Sequence, residues 1–388
     1  MKFVSFGGEE YQPTRWLAFN DVLLRPQHSR FASRNSVEIS TSTSLGSIVG
    51  KPQYMNCPTE ELRVDPHPSL SLGIPVISAN MDTVTGKDMA IAMDDLGGLG
   101  ILHRFYKERS EYVNEIESVA KKCNKVAFSI GCGDEWVSFV ESIMSRFWET
   151  SVHLIVCLDV AHAHATHAIE TIRKIANMEP QFPRLAIIAG NIATGNAAYD
   201  LAEAGAHCVK VGIGCGSLCT TRLVTGSGVP QLSAIMDVRD TLDSYGYDNV
   251  GIIADGGIRH SGDIVKSLAV GADAVMIGQL FAGTEESPGE YTTDLRNNSK
   301  TKVYRGQSSK NFMEDVGKKG VAAEGIHLEI PYKGSMKNIV SELVGGIRSG
   351  MTYSGAGSIQ ELRKNAEFQE ISEQGWIESM PHATLTVK

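Results

Sequence analysis

From residue 74 the chain alternates short apolar runs with longer amphipathic ones. The apolar runs are IPVISA (74–79), LGILH (99–103), VAFSI (126–130), VHLIVCLDV (152–160), RLAIIAG (184–190), HCVKVGI (207–213), VGIIAD (250–255) and ADAVMIG (272–278). Between them, stretches such as 164–178 and 195–206 repeat apolar positions at helical spacing. Continuous apolar strands separated by helices predict βαβ units around a parallel sheet buried on both faces. Eight such units predict a (β/α)₈ barrel, with an open doubly wound sheet as the alternative.

The flanks are less regular. Residues 1–73 read as an N-terminal extension, with a Pro-rich polar surface excursion at about 45–71. Residues 284–335 are rich in Gly, Ser, Lys and Glu with little periodicity, which predicts a long active-site loop or flap near the C-terminus. An amphipathic helix follows at 338–350. The chain, 1–388, therefore reads as a single barrel domain.

Composition narrows the picture. No run reaches the roughly 18 apolar residues of a membrane span. The first residues lack the apolar block of a signal peptide, so a soluble cytoplasmic protein is expected. A net charge of −9 without a Lys/Arg cluster argues against nucleic acid as a partner. Seven scattered cysteines do not form a disulfide framework, which leaves a thiol free for chemistry.

The candidate chemistry gathers at strand ends: Asp159, Asn191, Gly212, Asp255 and Gly278. Each Asp or Asn has a plainer reading as a helix cap. Their recurrence at one end of successive strands points to a ligand site, because barrel active sites lie there. GIGCGSLCTTR (212–222) surrounds Cys219 with glycines and places it near a helix start, where a thiolate is favoured. The plainer reading is a small residue in a turn. Cys215 with Cys219 as a metal pair lacks a second pair at zinc spacing. In IIADGGI (252–258), Asp255 suits a ribose diol, and glycines there allow close approach to phosphate. Gly278 is expected to open a helix, so Ser217, Gly257 and Gly278 are candidates for one phosphate site. His162, His164 and His167 invite a metal reading, but only His260 follows another strand as a further ligand. Surface histidines at a helix start are the expectation.

GIGCGSLCTTR, GVPQLSAI, ADGGI, YRGQSS and VGGIRSGMTYSGAGSIQEL, with FNDVLLRP (19–26) and ANMDTVTG (79–86), resemble the IMP dehydrogenase/GMP reductase family in its own order. The resemblance implies a (β/α)₈ barrel, usually tetrameric, acting on a purine nucleotide with a nicotinamide cofactor. It implies Cys219 as a nucleophile towards C2 of the purine, assisted by Thr221 and Glu324. Ser217, Gly257, Gly278 and Tyr304 would hold the phosphate, and Asp255 the ribose. Gly306 and Ser308 would contact the base, with Ala79, Asn80, Met81, Gly256, Gln279 and Gln307 also bordering the nucleotide. Asp159, Asn191 and Arg222 would serve the cofactor, and the backbone of Gly214, Gly216 and Cys219 a potassium ion.

Within the family, residues 304–325 contain no Arg–aromatic pair after Arg305, and the link from His103 to Val126 leaves no room for a tandem regulatory module. These features imply a GMP reductase, converting GMP to IMP and ammonia with NADPH, NADH or NAD remaining open. IMP dehydrogenase is the alternative, and a non-catalytic purine-nucleotide sensor the third reading.

Overall fold

The computed structural model describes residues 2–5, 7–41, 71–294, 299–315 and 322–381. All but the last residue of the excursion expected over 45–71 lies outside them. Eight strands form the barrel: β1 (Val76–Ser78), β2 (Leu99–Leu102), β3 (Lys125–Ile130), β4 (His153–Asp159), β5 (Leu185–Ile192), β6 (Cys208–Val211), β7 (Gly251–Asp255) and β8 (Ala274–Ile277). All pair in parallel in chain order, and β8 closes on β1 through Val275↔Val76 and Met276↔Ile77. They coincide with the eight apolar runs. Strands enclosed on both faces need no polar alternation, so the runs stay continuous.

The helices between them bury one stripe each. Thr166–Ala176 turns Ala168, Thr171, Ile172 and Ile175 inward at spacings of three and four. Burying each isoleucine there contributes roughly 1.5–3 kcal/mol. Helix Gly195–Glu203 starts at Thr194, whose hydroxyl accepts from Ala197 N. A Cβ on Gly195 would lie 1.9 Å from Thr241 Oγ1 on helix Gln231–Ser244, so this helix pair packs only with glycine there.

Two regions differ from the sequence reading. Residues 284–335 are not a plain loop. They carry an antiparallel sheet of Thr292–Asp294, Ser299–Arg305 and His327–Pro331, and a helix at Lys310–Asp315. The alternation is disguised because an inward position of the middle strand is Lys302. Its buried Nζ donates to the carbonyls of Thr284 (3.0 Å) and Ser287 (2.6 Å), while apolar Val303 and Leu328 are exposed. The N-terminal extension likewise forms a sheet, in the order Glu10–Tyr11, Lys2–Val4, Glu367–Glu370, Val22–Leu24.

Gly278 does not open a helix. The chain turns there, with Phe281 N and Ala282 N bonding back to Gly278 O, and the first long helix after β8 begins only at Met336. The small sheet and the short helix Lys310–Asp315 intervene, so the strand–helix rhythm that holds for the first seven units is interrupted at the eighth.

Candidate active site

A cavity of about 440 Å³ opens at the C-terminal ends of the strands. Its wall includes Ala79, Asn80 and Met81 after β1, Asp159 at the end of β4, Asn191 on β5 and Asp255 at the end of β7. Ser217, Cys219 and Thr221 enter from the loop after β6, and Tyr304, Gly306, Gln307, Ser308 and Glu324 from the C-terminal excursion.

Three loop segments meet at Cys219 and are tied by backbone bonds. Thr220 N donates to Glu324 O (2.9 Å) and Ile326 N to Leu218 O (3.1 Å). Glu324 N donates to Ser308 O (3.0 Å) and Gly306 N to Ile326 O (3.0 Å). Residues 324–326 are thus clamped between 218–220 and 306–309. A Cβ on Gly325 would come within 3.3 Å of Ser309 N and 3.4 Å of Leu218 O, so the middle strap carries no side chain there.

This clamp sets the reactive line. The exposed Cys219 thiol donates to Thr221 Oγ1 (3.1 Å), which donates to Glu324 Oε2 (2.7 Å). Sulfur, hydroxyl and carboxylate stand in series, as a proton relay requires. Cys215, four residues earlier, is different. Its thiol points away, to Asp255 O (3.1 Å) and Gln231 Oε1 (3.2 Å), and burial, reinforced by Asp255, pushes its pKa up to about 12. A half-buried thiol of raised pKa and an exposed one, both hydrogen-bonded, share one loop.

The phosphate candidates converge at one corner. Ser217 Oγ lies 3.2 Å from Tyr304 Oη, and a Cβ on Gly278 would lie 3.0 Å from the same hydroxyl. Gly278, like Gly256 and Gly257, does not itself line the cavity, but a side chain at 278 would crowd the Tyr304 hydroxyl. Gly256 and Gly257 follow at φ +89° and +81°, beside Cys215 and Gly216. Gln307 Nε2 donates to Asn80 O (2.5 Å), joining the base-side loop to the segment after β1. Arg305 reinforces that junction through Asp82, at 2.9 and 2.5 Å.

Not every predicted residue reaches the cavity. The Arg222 guanidinium binds Ile213 O and Val229 O, bracing the glycine loop from outside the wall. Gln279 offers its carbonyl to Lys333 Nζ (2.5 Å) and does not line the cavity. Asn191 does line it, but its amide is spent on Gly212 O and Asp255 Oδ2 and its carbonyl on Lys210. The histidine motif has no metal partners among the described residues: His162 and His167 are exposed, and His164 pairs with Asp200 (2.8 Å).

Lys210 was missed by the sequence reading. It lies under the cavity with Nζ 2.8 Å from Asp255 Oδ2 and 3.3 Å from Asp159 Oδ1. Burial alone would lower its pKa, but Asp255 and Asp159 outweigh burial and hold it above the usual lysine value. The available signal was a lone cation inside the apolar run HCVKVGI: an unpaired ammonium is not tolerated in a buried strand, so it demanded acidic partners. Arg104 and Phe105, after β2, also line the cavity and were not anticipated.

A family model described as IMP dehydrogenase / GMP reductase domain matches residues 16–382. An inosine-5'-monophosphate dehydrogenase of Borreliella burgdorferi is 38% identical over 379 residues, covering 82% of this chain and 91% of that protein. One from Nitrosopumilus maritimus is 30% identical over 502 residues, covering 95% and 98%. One from Streptococcus pyogenes is 46% identical over 268 residues, covering 66% of this chain. This chain spans about half the length of that last relative, 52%.

These relatives overturn the expectation of a GMP reductase, since all three carry the dehydrogenase name. One feature behind that expectation, the missing tandem module, does not discriminate. An alignment taking in 91% of a relative named as a dehydrogenase shows that a short chain is compatible with that branch. The Thr221–Glu324 pair serves equally to take a proton from water as to give one to an amine.

Proposed function

The chain belongs to the IMP dehydrogenase/GMP reductase family of oxidoreductases, and on that premise we propose that it is an IMP dehydrogenase, oxidising IMP to XMP with NAD⁺. The observation that carries this reading is the series Cys219 Sγ, Thr221 Oγ1, Glu324 Oε2, at 3.1 and 2.7 Å. Conversion of IMP to XMP needs a nucleophile at C2 and then a base for water, and this line supplies both. The dehydrogenase names of the relatives select the direction.

In this mechanism Ser217, Tyr304 and the bare Gly278 corner hold the 5'-phosphate, with backbone of Gly256 and Gly257 beside it. Asp255 holds the ribose diol through Oδ1, the oxygen that takes no bond from the described residues. The segments at Ala79–Met81 and Gly306–Ser308 enclose the base. As Cys219 Sγ bonds to C2, the exposed thiol gives its proton to solvent, so Glu324 remains a carboxylate for the water step. C2 loses a hydride and becomes a thioimidate on Cys219. Water then attacks C2, the relay takes its proton, and the C–S bond breaks, returning the thiol and releasing XMP.

The wall away from the phosphate corner offers groups for the nicotinamide end of a dinucleotide. Asp159 gives one oxygen to Lys210 and keeps the other at the cavity wall, next to the small residues Ala161, Gly212 and Gly214 and the Arg104–Phe105 edge. NAD⁺, when bound, supplies the acceptor for the C2 hydride. Asp159 would orient its nicotinamide nucleoside.

The proposal includes a potassium ion on the carbonyls of Gly214, Gly216 and Cys219. Gly216 O accepts one bond, from Cys219 N, and the carbonyls of Gly214 and Cys219 accept none from the described backbone, an oxygen-only set suited to a hard cation. It also includes the cytoplasmic homotetramer that the family resemblance implies. No helix among the described residues is long and apolar enough to cross a membrane. The function is tested by incubating the protein with IMP and NAD⁺ and quantifying XMP and reduced nicotinamide together.

A further inference from the structure

The floor of the cavity contains a charge that the proposed bond-making steps do not use. Lys210 rises from β6 with its side chain 2% exposed. The adjacent strand makes room for it: a Cβ on Gly190 would lie 2.5 Å from Lys210 Cβ. Its three protons meet three acceptors, Asp255 Oδ2 at 2.8 Å, Asp159 Oδ1 at 3.3 Å and Asn191 Oδ1. Asn191 Nδ2 closes the network on Asp255 Oδ2 (2.8 Å) and Gly212 O (2.7 Å). The four side chains come from four neighbouring strands, β4 to β7.

An ammonium with three protons, one of them on Asn191, cannot occupy both oxygens of both carboxylates. Here it takes one of each. Asp255 Oδ1 and Asp159 Oδ2 accept no bond from the described residues, and both residues line the cavity. Asp255 stands on the phosphate side, one residue before Gly256. Asp159 stands on the side of Arg104 and Ala161.

We propose that Lys210 is a positioning residue that couples the two halves of the site, aiming Asp255 at the ribose of the nucleotide and Asp159 at the nicotinamide nucleoside through one ammonium. The inference rests on the nucleotide-plus-dinucleotide reading given above. Hydrogen bonds from one ammonium are directional, so a ligand that turns either carboxylate changes the bond to the other. Without the cation, two carboxylates face each other across a buried floor, repel, and lose their set orientation.

The test uses the intact protein with Lys210→Met, Lys210→Arg, Asp159→Asn and the Lys210→Met/Asp159→Asn double variant, each checked for an unchanged circular dichroism spectrum. IMP affinity is measured by calorimetry, which needs no turnover, and the NAD⁺ KM and kcat by steady-state kinetics. Lys210→Met is expected to weaken IMP binding and raise the NAD⁺ KM together, each by roughly thirtyfold or more, the scale for removing one partner of a buried charge pair. It should lower kcat by a smaller factor than either. Lys210→Arg should recover most of both losses. In the Lys210→Met background, Asp159→Asn should cost less than about a third of its effect on the NAD⁺ KM in the wild-type background, because the bond it would remove is already gone. Should Lys210→Met fail to fold, Lys210→Gln, which keeps an amide donor, carries the same double-sided expectation. A folded variant that loses only one affinity, or losses from Lys210→Met and Asp159→Asn that simply multiply, overturns the coupling while wild-type IMP oxidation stands. A wild-type protein that binds no purine nucleotide removes the functional reading and this inference with it.

Discussion

The floor of the site and its reactive rim are built differently. The floor, Asp159, Asn191, Lys210 and Asp255, stands on strands, with Lys210 buried and its ammonium bonded to all three partners. The rim, Cys219, Thr221 and Glu324, stands on loops and on the first residue of the short helix Thr221–Thr225, held by main-chain bonds between three segments. The floor is preorganised and expensive to disturb, which suits recognition. The rim can open by breaking a few backbone bonds, which suits a site that must admit water halfway through the reaction. In the proposed reaction, binding and bond-making fall on different segments of the chain.

The separation is tested most severely at the rim. Cys219→Ala should lower kcat by at least about 10³-fold, the scale for loss of a covalent nucleophile, while IMP affinity by calorimetry changes less than about threefold. Parallel loss of binding would place Cys219 in the recognition machinery and erase the distinction. Glu324→Gln keeps its shape and its acceptor oxygen but gives up the carboxylate base. Turnover should slow by roughly 10²-fold. Because the loss falls on hydrolysis, rapid-quench mass spectrometry should find the Cys219 thioimidate accumulating after a burst of reduced nicotinamide. A slowed burst without the adduct would mean that Glu324 acts before hydride loss.

A smaller effect sharpens the contrast with the protein's interior. His103 stacks on Tyr106 and accepts from Phe105 N, and burial, with Arg305 nearby, lowers its pKa to about 4. Unfolded, it titrates near its ordinary value of 6.5. Its neutral form therefore stabilises the fold above about pH 6.5, and the contribution is lost as pH falls towards 4, amounting to about 3 kcal/mol. Urea unfolding of wild type and His103→Gln across that window should converge as pH falls, and parallel curves would remove His103 as the cause. The smallest effect belongs to the other thiol of the catalytic loop. Cys215→Ala should leave kcat within about threefold and cost about 1 kcal/mol of stability. Iodoacetamide at neutral pH should label Cys219 well ahead of Cys215, and the reverse order would contradict the assignment of the two thiols.

The barrel was legible because buried parallel strands write themselves as unbroken apolar runs, and each of the eight was found in its place. The sheet over 292–331 was not, since Lys302 occupies an inward position, where its ammonium donates to the carbonyls of Thr284 and Ser287. At the site, Cys219, Thr221, Glu324, Ser217 and Asp255 were named from motif and resemblance, and the fold brings them to one cavity. Lys210 and the inward-turned amide of Asn191 were not foreseen, because ion pairing across four strands depends on barrel closure, which no local window records. The choice of branch also went astray. Proton-relay residues look the same whether the proton goes to an amine or comes from water.

The purified protein is mixed with IMP and NAD⁺ in potassium buffer, and XMP is quantified by chromatography against the reduced nicotinamide formed. The account predicts XMP and NADH in equal amounts, both abolished by Cys219→Ala. A folded wild-type protein that forms neither from IMP, yet consumes NADPH only when GMP is supplied, would contradict it.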